Sequence, residues 1–193
     1  METADFILKK VAPVFNKKGY IGTSLTDITK ATQLTKGAVY CNFANKEELA
    51  IEAFELNLKV AIGPLFELVA NTAGSLNKLR AIINYQRTYF ERLGDRGGCP
   101  LIRAGIDAKF NSPKLFNRAQ AFSLRILNGM TRIITEGIAA GEIKKSTDAA
   151  KQAKLILSMI EGSNFMSFTH NDNSYIITAM DFIETYIIDV MKK

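Results

Sequence analysis

"TSLTDITKATQLTKGAVYCNFANKEEL", Thr23 to Leu49, holds two short helix-length segments around a compact turn. Ser24 and Asp27 stand at the Ser-x-x-Asp spacing of an N-terminal capping box, which opens a helix from Leu25 to about Thr32. Gln33 to Thr35 is the turn. Thr35 then caps a helix over Lys36 to Phe43, and Asn45 with Glu48 repeats the capping spacing before a long helix toward Ala70. Leu25, Ile28, Ala31 and Leu34 line the first of these helices and its turn, and Val39 and Phe43 come from the second. Phe15, from a helix upstream, can close a small core over them. Paired short helices on such a core form a helix-turn-helix, whose second helix lies in the major groove of DNA with its amino-terminal end toward the bases.

That end carries Thr35, Lys36, Gly37 and Ala38. A glycine inside a helix costs about 1 kcal/mol, so Gly37 weakens a short helix unless close approach to another surface offsets it. Asp and Glu, favoured in a first turn, are absent from Thr35 to Phe43, where they would face phosphates. Tyr40 and Asn42 can donate to phosphate oxygens, and Lys46 adds a cation at the positive end of the next helix.

Charge is distributed accordingly. Seven lysines and one acid, Asp27, lie between Phe6 and Lys46, a net +6 that equals the formal charge of the whole 193-residue chain. Such a basic quarter suits a polyanion-binding module, although a solvated lysine-rich surface would give the same count.

The pattern "GY..TS..DI....QLTKGAVYCNFANKEEL", set within Phe15 to Leu49, resembles the amino-terminal signature of the tetracycline-repressor (TetR) family of bacterial transcription regulators. The resemblance implies phosphate contacts at Tyr40 and Lys46 and a groove-facing end at Thr35 to Ala38. Asn42 stands where the family often has His, and Cys41 near where a small non-thiol residue is common.

Beyond the motif, apolar residues recur at helical spacing, strand-like alternation is rare, and the chain reads as all-α with about nine helices. The first helix runs from about Thr3 to Lys18 and stops at Gly19, a left-handed cap. Gly63 and Pro64 should kink the fourth helix or end it early. Further helices are expected near Leu76 to Leu93, Leu101 to Phe110, Pro113 to Ala140, Thr147 to Thr169 and Asn173 to Lys192. We therefore divide the chain into a helix-turn-helix domain, 1–46, and a larger helical ligand-binding and dimerisation domain, 47–193.

The last two helices are apolar on more sides than one core contact requires. A homodimer seam of Leu157, Ile160, Phe168, Met180, Ile183 and Ile187 would account for this and suit palindromic half-sites. A thick monomeric core is the alternative. Gln86 interrupts the inward stripe of Leu79, Ile82, Ile83, Phe90 and Leu93 and can orient a small molecule. Tyr89, Phe122, Met130, Met159, Glu161 and Phe165 could complete the wall, or simply be core.

Enzyme readings lack residues. His170, the one histidine, has no Cys or acid at ligand spacing, so no metal site or cofactor is expected, and Cys41 and Cys99 form no Cys-x-x-Cys pair. Two cysteines and no apolar run of about 18 residues point to the cytoplasm. The expectation is a ligand-responsive regulator, a repressor released from double-stranded operator DNA by an unknown small molecule. The alternative is a helical small-molecule-binding protein whose basic end docks an acidic protein.

Overall fold

In the computed structural model, which describes residues 3–193, the helix starts follow the capping chemistry. α1 spans Thr3–Gly22, α2 Leu25–Thr32, α3 Lys36–Tyr40 and α4 Lys46–Ala70. α5 (Ser75–Arg87), α6 (Tyr89–Leu93), α7 (Pro100–Asp107), α8 (Pro113–Ala139), α9 (Ala149–His170), α10 (Ser174–Ile183) and α11 (Asp189–Met191) complete the fold. A single wide π turn, Glu184–Ile188, joins α10 to α11. No strand occurs among the described residues; one isolated bridge pairs Ile143 with Lys192. None of the described helices is long and apolar enough to cross a membrane.

Two compact units divide the chain. The first comprises Met1–Gly63 and Asp95–Phe122, the second Pro64–Gly94 and Ser123–Lys193. The unit holding the first three helices thus continues past residue 46, through most of α4, and takes in the later helix α7.

In the first unit, Ile7, Val11, Ala12, Phe15, Ile28, Val39, Phe43, Leu49, Ala53 and Phe54 are buried. Leu25, Ala31 and Leu34, expected in the same core, are half-buried at its edge. The first helical stretch of α1 ends at Gly19, as the sequence leads one to expect, and a short second stretch follows it. The helical dihedrals break there (φ 77°, ψ 175°) and resume through Gly22. That pair of angles lies in an extended region open essentially to glycine alone, not in the left-handed helical region of a C-cap. Of the two outcomes expected at Gly63 and Pro64, a kink or an early end, the early end does not occur: α4 passes through both residues. Proline removes one hydrogen bond from a helix, but Ala61, Ile62 and Leu65 around it are buried and hold the segment in place.

In the second unit, Leu79, Ile82 and Ile83 of α5, Met130, Ile133 and Ile134 of α8, Ile156 and Ile160 of α9, and Ile176, Met180 and Ile183 of α10 form the core. The helix expected over Leu76 to Leu93 is broken at Thr88 into α5 and α6. Four ion pairs tie α5 to the C-terminal segment: Arg80–Asp189 at 2.7 Å, Arg80–Glu184 at 3.9 Å, Arg87–Asp181 at 2.8 Å and Arg87–Glu184 at 2.8 Å.

Candidate nucleic-acid interface

Each helix of the recognition motif is fixed by a side chain. Ser24 Oγ accepts from Asp27 N–H, and the Asp27 carboxylate accepts from Ser24 N–H at 2.9 Å, the reciprocal bonds of a capping box. Lys18 Nζ reaches Asp27 Oδ1 at 2.5 Å, tying α1 to the start of α2. The Lys18 bond, followed by the Ser24 bonds, holds the Asp27 carboxyl well below the usual carboxylate range. The turn into α3 passes through Gln33, a left-handed residue (φ 58°). Thr35 Oγ1 then accepts from Ala38 N–H at 3.2 Å.

α3 ends at Tyr40 rather than at Phe43, because Cys41 and Asn42 turn back onto Gly37 and Val39 and Asn42 Nδ2 donates to Ala38 O at 3.0 Å. One Asn42 amide proton is therefore spent inside the helix, and the second remains for an external acceptor. At the start of α4, Asn45 Oδ1 accepts from Glu48 N–H at 3.0 Å, while Glu48 reaches back to Ala44 N–H at 2.5 Å.

Thr35, Lys36, Gly37 and Asn42 are exposed, and Ala38, Tyr40 and Lys46 are half-buried. Val39 and Phe43 face inward, so α3 is anchored by its apolar side while its polar residues stay at the surface. Nothing among the described residues requires glycine at 37. A Cβ there would meet only Thr35 Oγ1, at 4.0 Å, and the residue's φ is not positive.

Lys46 Nζ lies 4.7 Å from the Tyr20 ring centroid, a cation–π contact at the edge of the motif. Burial lowers the Lys46 pKa, and the Asp107 carboxylate opposes that shift. Burial, then Glu47 and then Tyr40, raises the Tyr20 pKa. Tyr20 and Lys46 thus form one cluster, and Tyr40 lies within electrostatic reach of it. Sequence reasoning passed over Tyr20, although the "GY" pair of the motif contains it.

The other expected sites fare unevenly. Of the residues expected at a seam, Ile160, Met180, Ile183 and Ile187 are buried in their own unit, where their methyls fill the core. Leu157 and Phe168 are half-buried, with Phe168 packed on Phe90 at 5.2 Å between centroids. The same helices expose a different apolar set: Leu155, Phe165, Tyr175, Phe182, Tyr186 and Val190.

Of the pocket residues, Gln86, Tyr89 and Met130 are buried, and Met159 and Glu161 half-buried. Phe165 is 50% exposed, and Phe122 falls in the first unit while the other six lie in the second. Gln86 Oε1, Asn164 Oδ1 and Ser167 Oγ, all in the second unit, are buried without a hydrogen-bond partner among the described residues. His170, at the end of α9, is exposed and stacks on Tyr175 at 5.2 Å.

Comparison with known proteins matches both parts of the chain. Residues 7–53 match the family described as "Bacterial regulatory proteins, tetR family", and residues 75–183 match "Tetracyclin repressor-like, C-terminal domain". A solved TetR-family transcriptional regulator from Cytophaga hutchinsonii is 34% identical, with a TM-score of 0.89 over 98% of this chain and 94% of that one. A second, from Chloroflexus aurantiacus, is 30% identical, with a TM-score of 0.90 over 96% and 93%. The fatty acid metabolism regulator protein of Bacillus subtilis is 24% identical over 174 residues, 90% of this chain and 87% of that protein.

Proposed function

Since the chain belongs to the TetR family of bacterial transcriptional regulators, we propose that it is a repressor that binds operator DNA as a homodimer and is released by a small molecule. The observation that carries the DNA half is the exposed amino-terminal end of α3, held on a buried Val39–Phe43 anchor beside Tyr40 and Lys46. Thr35, Lys36, Gly37 and Ala38 face the bases; Tyr40, Asn42 and Lys46 hold phosphates. Residues 1–46 act as the DNA-binding domain and 47–193 as the ligand-binding and dimerisation domain, working in the cytoplasm where the DNA is.

The dimer forms through α9 and the C-terminal segment from α10 to α11, using the exposed Leu155, Phe165, Tyr175, Phe182, Tyr186 and Val190. An exposed apolar set of this extent is characteristic of an interaction surface. The effector meets Gln86, whose buried, unpartnered Oε1 supports the reading, since a buried acceptor left unpaired is costly unless something fills it. Incubating the purified protein with a random duplex library and sequencing the retained DNA tests the proposal. The expected product is one palindromic sequence with half-sites one or more helical turns apart. Retention of no common sequence would overturn the operator reading.

A further inference from the structure

The grip on the end of α1 comes from a helix that sequence analysis assigned no part in DNA binding. Asp107, the last residue of α7, accepts hydrogen bonds on Oδ2 from the backbone N–H groups of Tyr20 and Ile21. The break at Gly19 makes room for it: Gly19 is buried, and a Cβ there would stand 2.8 Å from Asp107 Oδ2. Thr23, fully buried, closes the far side by donating to Gly19 O at 2.6 Å.

The chain segment leading into α7 holds α1 one turn earlier. Asn16 Nδ2 donates to Arg96 O at 2.7 Å and to Gly98 O at 3.0 Å, and a Cβ on Gly97 would lie 2.9 Å from Lys17 Cα. All of these residues belong to the first unit. The carboxylate gives α7 itself no benefit, because the C-terminal end of a helix is where a negative charge is least favoured. What it does orient is Tyr20, and across the Tyr20 ring lies Lys46 Nζ.

We infer that Asp107 is a positioning residue of the DNA interface: by holding the Tyr20 and Ile21 amides it fixes the Tyr20 ring and so aims the Lys46 ammonium at a phosphate. The inference rests on the DNA-binding reading, and it predicts the opposite of a bare charge count. Removing a carboxylate near the interface should tighten DNA binding by reducing repulsion; loss of positioning should weaken it.

The test compares wild type, Asp107→Asn, Asp107→Ala, Gly19→Ala, Lys46→Ala and the Asp107→Ala/Lys46→Ala double variant. Affinity for the selected duplex and for a scrambled one is read by fluorescence anisotropy at fixed salt, with circular dichroism melting as the control for folding. Asp107→Ala is expected to weaken both duplexes about tenfold, within the range of coupled neighbours, and Asp107→Asn to a lesser degree. Gly19→Ala should weaken binding at least as much as Asp107→Ala, because its Cβ displaces the carboxylate and also strains a backbone conformation open essentially to glycine. In the Lys46→Ala background the Asp107→Ala effect should largely vanish, whereas a general loss of stability would add to it. Unchanged or tighter binding by folded Asp107→Asn and Asp107→Ala, or full additivity with Lys46→Ala, overturns the positioning role alone. A wild-type protein that binds no duplex overturns the interface and this role together.

Discussion

Gly37→Ala separates folding from DNA binding at one position. The residue lies in the first turn of α3 with a φ that alanine adopts, and the new Cβ would find only Thr35 Oγ1, at 4.0 Å. In the free protein the change therefore removes a backbone-entropy cost and adds no clash, a gain of roughly 0.5–1 kcal/mol. For a chain of this length that raises Tm by about 1–4 °C. On DNA the methyl enters the surface that meets the groove. Overpacking a close contact typically costs about 1–3 kcal/mol, a loss of roughly 5- to 150-fold in operator affinity. The assays are a thermal melt and an anisotropy titration of the selected duplex. A variant that melts higher and binds as well as wild type would refute the close approach assigned to Gly37.

Four further substitutions address the dimer, the ligand and pH. Phe182→Glu, at a side chain 47% exposed, should leave the chain folded, with a melt lowered only by the loss of association, and give a monomer by light scattering. Ile183→Glu, at a fully buried neighbour, should cost several kcal/mol and unfold the second unit; a dimer that survives Phe182→Glu removes this surface from the seam. Gln86→Leu should leave operator affinity unchanged but raise the ligand concentration that releases preformed complex, by roughly the 0.5–1.5 kcal/mol of one hydrogen bond; identical release curves would take Gln86 out of the site. Asp27 titrates below its ordinary value of 3.8 because of Lys18 and Ser24, so its stabilising contribution is fully present above that value and is lost as pH falls below it, through the lower pKa of the folded state. Asp27→Asn should lower Tm at neutral pH and flatten the acid side of the stability profile, and an unchanged profile would contradict that assignment.

The recognition motif was legible because its determinants are local. Capping pairs such as Ser24 with Asp27 act within four residues, and the alternation of buried Val39 and Phe43 with exposed Lys36 and Gly37 needs no partner outside the motif. The proposed seam shows in the sequence only as excess apolarity. The pattern of Met180, Ile183 and Ile187 on α10 and the turn after it cannot say which apolar stripe the chain keeps for its own core, and the structure gives the core that stripe and leaves Phe182 and Tyr186 outside. α4 runs on past Pro64 because the helix-breaking preference of one residue is overridden by burial of its neighbours. Asp107 carried no signal at all: its partners at Tyr20 and Ile21 are backbone groups, available at nearly any residue, and only the fold brings them together.

The central claim, that the basic first quarter of the chain meets DNA phosphates through Lys46, is tested by the salt dependence of duplex binding for wild type and Lys46→Ala. For wild type, log affinity should fall steeply and linearly with log salt. Lys46→Ala should weaken the selected and scrambled duplexes alike and flatten that slope by about 0.9, the contribution of one neutralised phosphate. An unchanged slope with an altered sequence preference, or wild-type binding indifferent to salt, would contradict the account.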